Sequence, residues 1–365
     1  MATCLRKKRG HSGLSNREAA RRVFRTGAAP DPSRPLTMER MKIEKVIVGV
    51  VAFMLAATPF AIYAQTAAMP KMSTPQLVIL DTDIGDDIDD AFALALLLHS
   101  SEVKLLGITT AFGDTELRAR LVDRYLRAVG RSEIPVFAGG STKAKNNLSQ
   151  AAYAQQSPAH KHGDAADFIL RSIRLHPGQI TLIAIGPLFN VQAAIERDPA
   201  TFRKLKRIVI MGGSVYRGYD DGNATNNPPS AEWNILCDPQ GARALFASGV
   251  PVFVMPLDST QIRLKQADLA TILAHGSPLT DQLALLYHQW SGTGDWHTPT
   301  LFDPVAASYA IRPNLCPTQP MRLDVDDQGF TRPVTGEPNA QVCLKSDVDG
   351  FVDFLVHRIL ADPAR

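Results

Sequence analysis

Cysteine is scarce in this chain: four in 365 residues, at Cys4, Cys237, Cys316 and Cys343. None of the intervals is the short paired spacing that thiolate metal sites use, so a cysteine-held zinc or iron–sulfur protein is excluded. No segment recurs at a fixed period, which argues against a solenoid or propeller. From residue 76 onward no Pro/Gly-rich linker divides the chain. A comfortable membrane span is lacking too. The apolar stretch Val46–Phe60 runs for 15 residues, short of the roughly 20 that a transmembrane helix needs.

That stretch reads instead as the core of a signal peptide over 41–64. Lys42 and Lys45 precede it and the small Ala64 closes it; an uncleaved anchor is the alternative. Residues 1–40 then form a basic leader or a start-site overcall, and 65–75 a linker. The net charge of +3 is misleading, because the first 64 residues hold twelve of the 39 bases and only four of the 36 acids. Processing after Ala64 leaves 27 bases against 32 acids, a net charge of −5. An acidic mature chain is a poor partner for nucleic acid, and cleavage leaves nothing to hold it at a membrane. The expected location is periplasmic or secreted. There Cys316 and Cys343 have the choice of a disulfide or of two buried thiols.

Apolar, β-branched runs at 77–80, 103–109, 134–137, 180–185, 207–211 and 251–255 alternate with helical patterns near 89–99, 115–129, 164–175, 188–197 and 238–248. Such alternation predicts βαβ units and an α/β fold with a mostly parallel central sheet, in one domain over 76–365. Directly after the first apolar run, six carboxylates fall within ten residues: Asp81, Asp83, Asp86, Asp87, Asp89 and Asp90. Ligands of open α/β sheets sit at the carboxyl ends of the strands. Like charges this dense repel unless a cation sits among them, and a hard divalent ion with oxygen ligands fits best.

Several separated blocks make the resemblance specific. They are Asp81-x-Asp83-x-Gly85 with Asp89-Asp90-Ala91, then Gly107 to Gly113, then Ile185-Gly186-Pro187-Leu188-Phe189-Asn190. Next come Met211-Gly212-Gly213 with Ala231-Glu232-Trp233-Asn234 and Asp238-Pro239, and finally Phe302-Asp303-Pro304-Val305-Ala306. From about residue 77 to its end the chain resembles the inosine–uridine nucleoside hydrolases. The resemblance implies a Rossmann-like sheet flanked by helices and calcium-dependent cleavage of the N-glycosidic bond of ribonucleosides, giving ribose and free base. That reaction serves purine and pyrimidine salvage. It also implies a homodimer or homotetramer. Carried over, Asp83, Asp90 and Asp303 would bind Ca²⁺ together with the backbone carbonyl of Ile185. Asp89, Glu232 and Asn234 would contact the ribose hydroxyls. A further Asn falls among Asn223, Asn226 and Asn227, with Asn223 taken for the sugar contact. Asp114 stands where the family often has Asn, and His162 where a base-side His-Gly is common.

The chemistry agrees with this set. Glycosidic cleavage passes through an oxocarbenium-like transition state that surrounding carboxylates stabilise. A bound cation lowers the pKa of water, and Asp83 beside it is the expected general base. Two departures bear on mechanism. Two extra residues follow Gly85, so Asp86 or Asp87 competes for the role given to Asp89. Phe302 occupies the position where the family often has a proton-donating His, so leaving-group activation must come from elsewhere. The stretch Tyr287 to His297, with His288, Trp290 and Trp296, offers a lid that would place Trp296 on the base. Three other readings compete. A haloacid-dehalogenase-like phosphohydrolase would share the strand–Asp-x-Asp start, but Ile84-Gly85 and the lack of a later Lys motif oppose it. Phosphorolysis lacks a phosphate cradle. An exported nucleoside- or ribose-binding protein without turnover would fit Phe302.

Overall fold

The computed structural model describes residues 74–143, 148–220, 227–292 and 297–361. The leader, the signal-peptide segment, Asn223, Asn226 and Trp296 lie outside the described residues. The strands are β1 (Gln76–Thr82), β2 (Val103–Thr110), β3 (Val136–Ala138), β4 (Gly163–Asp164), β5 (Ile180–Ala184), β6 (Arg207–Met211) and β7 (Val252–Met255). Four short ones follow: β8 (Gln319–Met321), β9 (Leu323–Val325), β10 (Thr331–Pro333) and β11 (Ala340–Val342). Nine of them form one sheet in the order β4-β3-β2-β1-β5-β6-β7-β11-β8, and β9 pairs with β10 apart from it. Every pairing from β4 across to β11 is parallel. Only β8, at the edge, runs antiparallel.

The sheet is covered on both faces, which is why its central strands read as unbroken apolar runs rather than alternating ones. Along β1, Val78 and Leu80 belong to the core on one face and Ile79 to the core on the other. The first face carries α1 (Asp89–Leu98), α2 (Thr115–Ala128) and the helices Pro278–Ser291, Phe302–Tyr309 and Val348–Leu360. The second carries Ala165–Leu175, Phe189–Arg197 and Pro239–Phe246. All six expected strands and all five expected helices are present, displaced by at most two residues at any end. Not foreseen are the two-residue β4 and the single turns Ala151–Gln155 and Pro199–Phe202. They lack the length needed for a period to register.

Helix α1 is buried along its whole length. It packs against Phe302–Tyr309, and each helix has an aspartate in its first turn: Asp89 and Asp90 on α1, Asp303 on its neighbour. Two helix starts, with their partial positive charge, thus meet the acids beyond the carboxyl end of β1. Cys316 and Cys343 form a disulfide that joins the segment before β8 to the end of β11.

Candidate active site

The run after β1 is built to turn its backbone inward. The Asp81 carboxylate is fully buried and accepts hydrogen bonds from Thr109 Oγ1 (2.5 Å) and Asn190 Nδ2 (2.7 Å). Asn190 also donates to the Thr110 carbonyl at 3.0 Å, so one amide ties β1, β2 and the Phe189–Arg197 helix together. At the turn after β5, a Cβ on Gly186 would stand 2.9 Å from the Asp83 backbone nitrogen and 3.0 Å from its Oδ1. Only glycine lets that turn come so close.

Asp83, Asp89, Asp90, Glu232, Asn234 and Asp303 are all buried, and all line one cavity. Asp86, Asp87, Ile185 and Met211 complete its lining together with the aromatic residues Tyr219, Trp233 and Phe302. One carboxylate oxygen each from Asp89, Asp90 and Asp303 lies within 4.8 Å of the other two. The Asp303 backbone N–H points at Asp89 Oδ2 at 3.4 Å, and Thr82 Oγ1 donates to Asp90 Oδ1 at 2.5 Å. Asp83 lines the same cavity, outside that tight trio. Asp89, expected on the sugar, thus joins Asp90 and Asp303, whereas Asp86 and Asp87 line the cavity outside that trio.

Glu232 works twice. As the cap of the Trp233–Cys237 helix it accepts from the backbone N–H of Asn234 (2.9 Å) and Ile235 (3.2 Å). It also accepts from Gly213 N–H at 2.9 Å. Gly213 has φ +87°, the left-handed region in which glycine is at ease. Asn234 Nδ2 donates to the carbonyls of Ile185 and Met211, both at 3.0 Å, which fixes the Ile185 oxygen. Burial lifts the Glu232 carboxyl to about 7, against the pull of its three backbone donors and with a push from Asp83. Burial likewise raises Asp81 to about 7. Asp90 and Asp303 are pushed well above the carboxylate range, first by burial and then by the neighbouring aspartates. Among the described residues that line the cavity, acids are present and bases are not, and every donor atom the acids offer is oxygen.

Two residues of the site were not foreseen. Arg118 of α2 is fully buried. It donates to the carbonyls of Phe112 (2.8 Å), Asp83 and Ile84 (2.9 Å) and pairs with Asp86 Oδ2 at 3.0 Å. Phe112, one of its partners, holds φ +65°, unusual for a residue with a side chain. It stacks near Phe189 and meets Trp233 edge-on. Tyr219, from the segment after β6, meets Phe302 edge-on, and its hydroxyl accepts the Trp233 backbone N–H at 2.9 Å. An arginine on an amphipathic helix reads as solvent-facing, and an isolated tyrosine in a loop carries no period.

Several expected contacts lie away from this cavity. Asp114 caps α2 by accepting from Leu117 N–H at 3.0 Å. The His162 ring is wedged between Glu116 and Asp123. Asn227 serves its own loop, donating to the Tyr219 carbonyl at 2.8 Å. Tyr287 is core, and its hydroxyl donates to the His297 carbonyl at 2.8 Å.

A family model described as inosine-uridine preferring nucleoside hydrolase matches residues 78–353. The chain is 32% identical over 317 residues to the pyrimidine-specific ribonucleoside hydrolase RihA of Salmonella arizonae, covering 77% of this chain and 97% of that protein. Among solved structures, it is similar to the plant nucleoside hydrolase PpNRh1 (TM-score 0.70, 26% identity, 79% of this chain and 100% of that one). It is also similar to a purine-preferring ribonucleoside hydrolase from Gardnerella vaginalis (TM-score 0.65, 26% identity, 78% and 98%).

Proposed function

From the premise that the chain belongs to the inosine–uridine preferring nucleoside hydrolase family, we propose that it hydrolyses the N-glycosidic bond of ribonucleosides with the help of calcium. The observation that carries the reading is the cavity itself. Buried aspartates converge on it from two helix starts. The fit to a hard cation is good: all donors are oxygens, and the 4.8 Å limit among Asp89, Asp90 and Asp303 suits ligands on one ion with bonds near 2.4 Å. Of that trio Asp89 would face the sugar hydroxyls, while Asp90 and Asp303 would hold Ca²⁺, joined by Asp83 of the same cavity and by the Ile185 carbonyl. That oxygen has a lone pair left after accepting from Asn234. When bound, the ion would supply positive charge that acidifies water and engages the sugar hydroxyls.

The remaining work falls to side chains. Asp83 takes a proton from the attacking water at a carboxylate oxygen while the C–N bond electrons leave with the base. Asp89, Glu232 and Asn234 hold the ribose hydroxyls so that the anomeric carbon faces that water. The surrounding carboxylates stabilise the developing oxocarbenium charge. Phe302, Tyr219 and Trp233 give the departing base an aromatic surface and exclude water, but Phe302 gives it no proton. Export of a mature chain beginning after Ala64 is part of the same proposal, and the buried Cys316–Cys343 disulfide supports it. Among the described residues no helix is long and apolar enough to cross a membrane.

Asp83→Asn separates enzyme from binding protein. Turnover is expected to fall by about 10²–10⁴-fold while nucleoside still binds. A wild-type chain that binds nucleoside but releases no ribose would place it with the binders.

A further inference from the structure

A second cluster of ligating groups lies on the outer side of α2 and shares no residue with the carboxylate cavity. One ligand atom each from Asp123, His160 and His162 can be chosen so that all three lie within 4.8 Å of one another. Asp123 Oδ2 is 2.9 Å from His162 Nε2 and 3.4 Å from His160 Nε2. A tetrahedral ion with bonds of about 2.0–2.1 Å sets its ligands about 3.3 Å apart, so both separations are close to those of a shared ion. Ordinary pairing explains the first contact. It leaves unexplained why a second, half-exposed imidazole turns its Nε2 to the same carboxylate oxygen.

The orientation of His162 is the independent observation. Its other nitrogen, Nδ1, faces Glu116 Oε2 at 2.7 Å, and the side chain is 2% exposed. A carboxylate on the far nitrogen of a buried imidazole is the arrangement that fixes the tautomer of a metal-bound histidine and raises its basicity. Glu116 and Asp123 are seven residues apart on α2, hence on one face of the helix, two turns from each other. His160 and His162 come from the segment that leads into β4. Arg118 and Arg120, the cations between the two acids, are engaged elsewhere: Arg118 donates to the carbonyls of Phe112, Asp83 and Ile84, and Arg120 to those of Gln155 and Ser157. His160 and Glu116 also form part of the wall of an open cavity with Asp114 and Lys161, so a fourth position would face solvent.

We propose that Asp123, His160 and His162 bind a zinc ion, with Glu116 positioning His162 and a solvent-facing fourth site. Two imidazoles and a single carboxylate suit a borderline ion such as Zn²⁺ and are a poor set for calcium or magnesium, which want oxygen. The ion replaces the proton shared between His162 Nε2 and Asp123, and it fastens the 160–162 segment to α2.

The test uses the full chain without a histidine tag, dialysed against Zn²⁺ in excess calcium so that the carboxylate cavity is occupied. The expected result is one equivalent of zinc retained by the wild type above the level retained by His160→Ala. Thermal unfolding in chelator should be the same for the two, because His160 is exposed. Glu116→Gln is expected to weaken zinc binding by about 10–100-fold. Cobalt in place of zinc should give the strong visible bands of four-coordinate Co²⁺ in the wild type and not in His160→Ala. Equal zinc retention by wild type and His160→Ala, or none by either, overturns the proposal.

Discussion

Arg118 shows most directly how single residues shape the site. Its guanidinium replaces water for three carbonyls around the turn that presents Asp83, and among the described residues it is the fully buried cation beside the acids. Arg118→Met should therefore cost about 3–5 kcal/mol, because it removes a buried cation that pairs with the Asp86 carboxylate and donates to the carbonyls of Asp83 and Ile84. Chemical denaturation of both proteins in calcium measures this; a change below about 1 kcal/mol, the level of an exposed pair, would contradict the role. Nothing in the sequence marks Arg118, since its place on α2 reads as a solvated face. The acids were legible for the opposite reason. Asp83, Asp89 and Asp90 follow an apolar strand and precede an apolar helix, a context in which carboxylates are hard to solvate. Asp114 and His162 were placed by family position alone, and side-chain direction took both elsewhere.

At the scale of elements, the site is made by helix starts and strand ends. Strand run and helix period alone located β1, β5, β6 and α1, because each is long enough to show its repeat, whereas Phe302–Tyr309 was marked only as a sequence block. What the pattern does not convey is that α1 and Phe302–Tyr309 lie side by side with their aspartates facing one cavity. That contact joins positions more than 200 residues apart. Phe302 is the first residue of the helix that carries Asp303, and its ring lines the cavity. Phe302→His should place an imidazole where the base departs. Turnover of ordinary nucleosides should rise, by up to about 10²-fold, with no gain on an aryl riboside whose leaving group departs without a proton. Equal changes on both substrates would show that the position does not govern leaving-group protonation.

For the whole molecule, the buried acids link stability to pH and metal. Glu232 ordinarily titrates at 4.5 and Asp81 at 3.8, and in the folded chain both stand at about 7. A carboxyl whose folded pKa is raised binds more protons folded than unfolded. Stability is therefore lost as pH climbs from the ordinary value through the raised one, by about 3 kcal/mol for Glu232 alone. His162, raised by Asp123 and Glu116 against the effect of its burial, adds to the same trend. In chelator, the unfolding midpoint should drop between about pH 5 and about pH 8. Saturating calcium should remove the part that belongs to the carboxylate cavity and leave that of His162. Calcium that leaves the slope unchanged would mean that the ion binds elsewhere.

The most direct test of the account is release of free ribose from inosine, uridine, adenosine and cytidine by the chain beginning after Ala64. It would be run with calcium, then with chelator, then with calcium restored. Turnover of at least one nucleoside is expected, with its loss in chelator and its return with calcium. Ribose release that persists undiminished in chelator would contradict it.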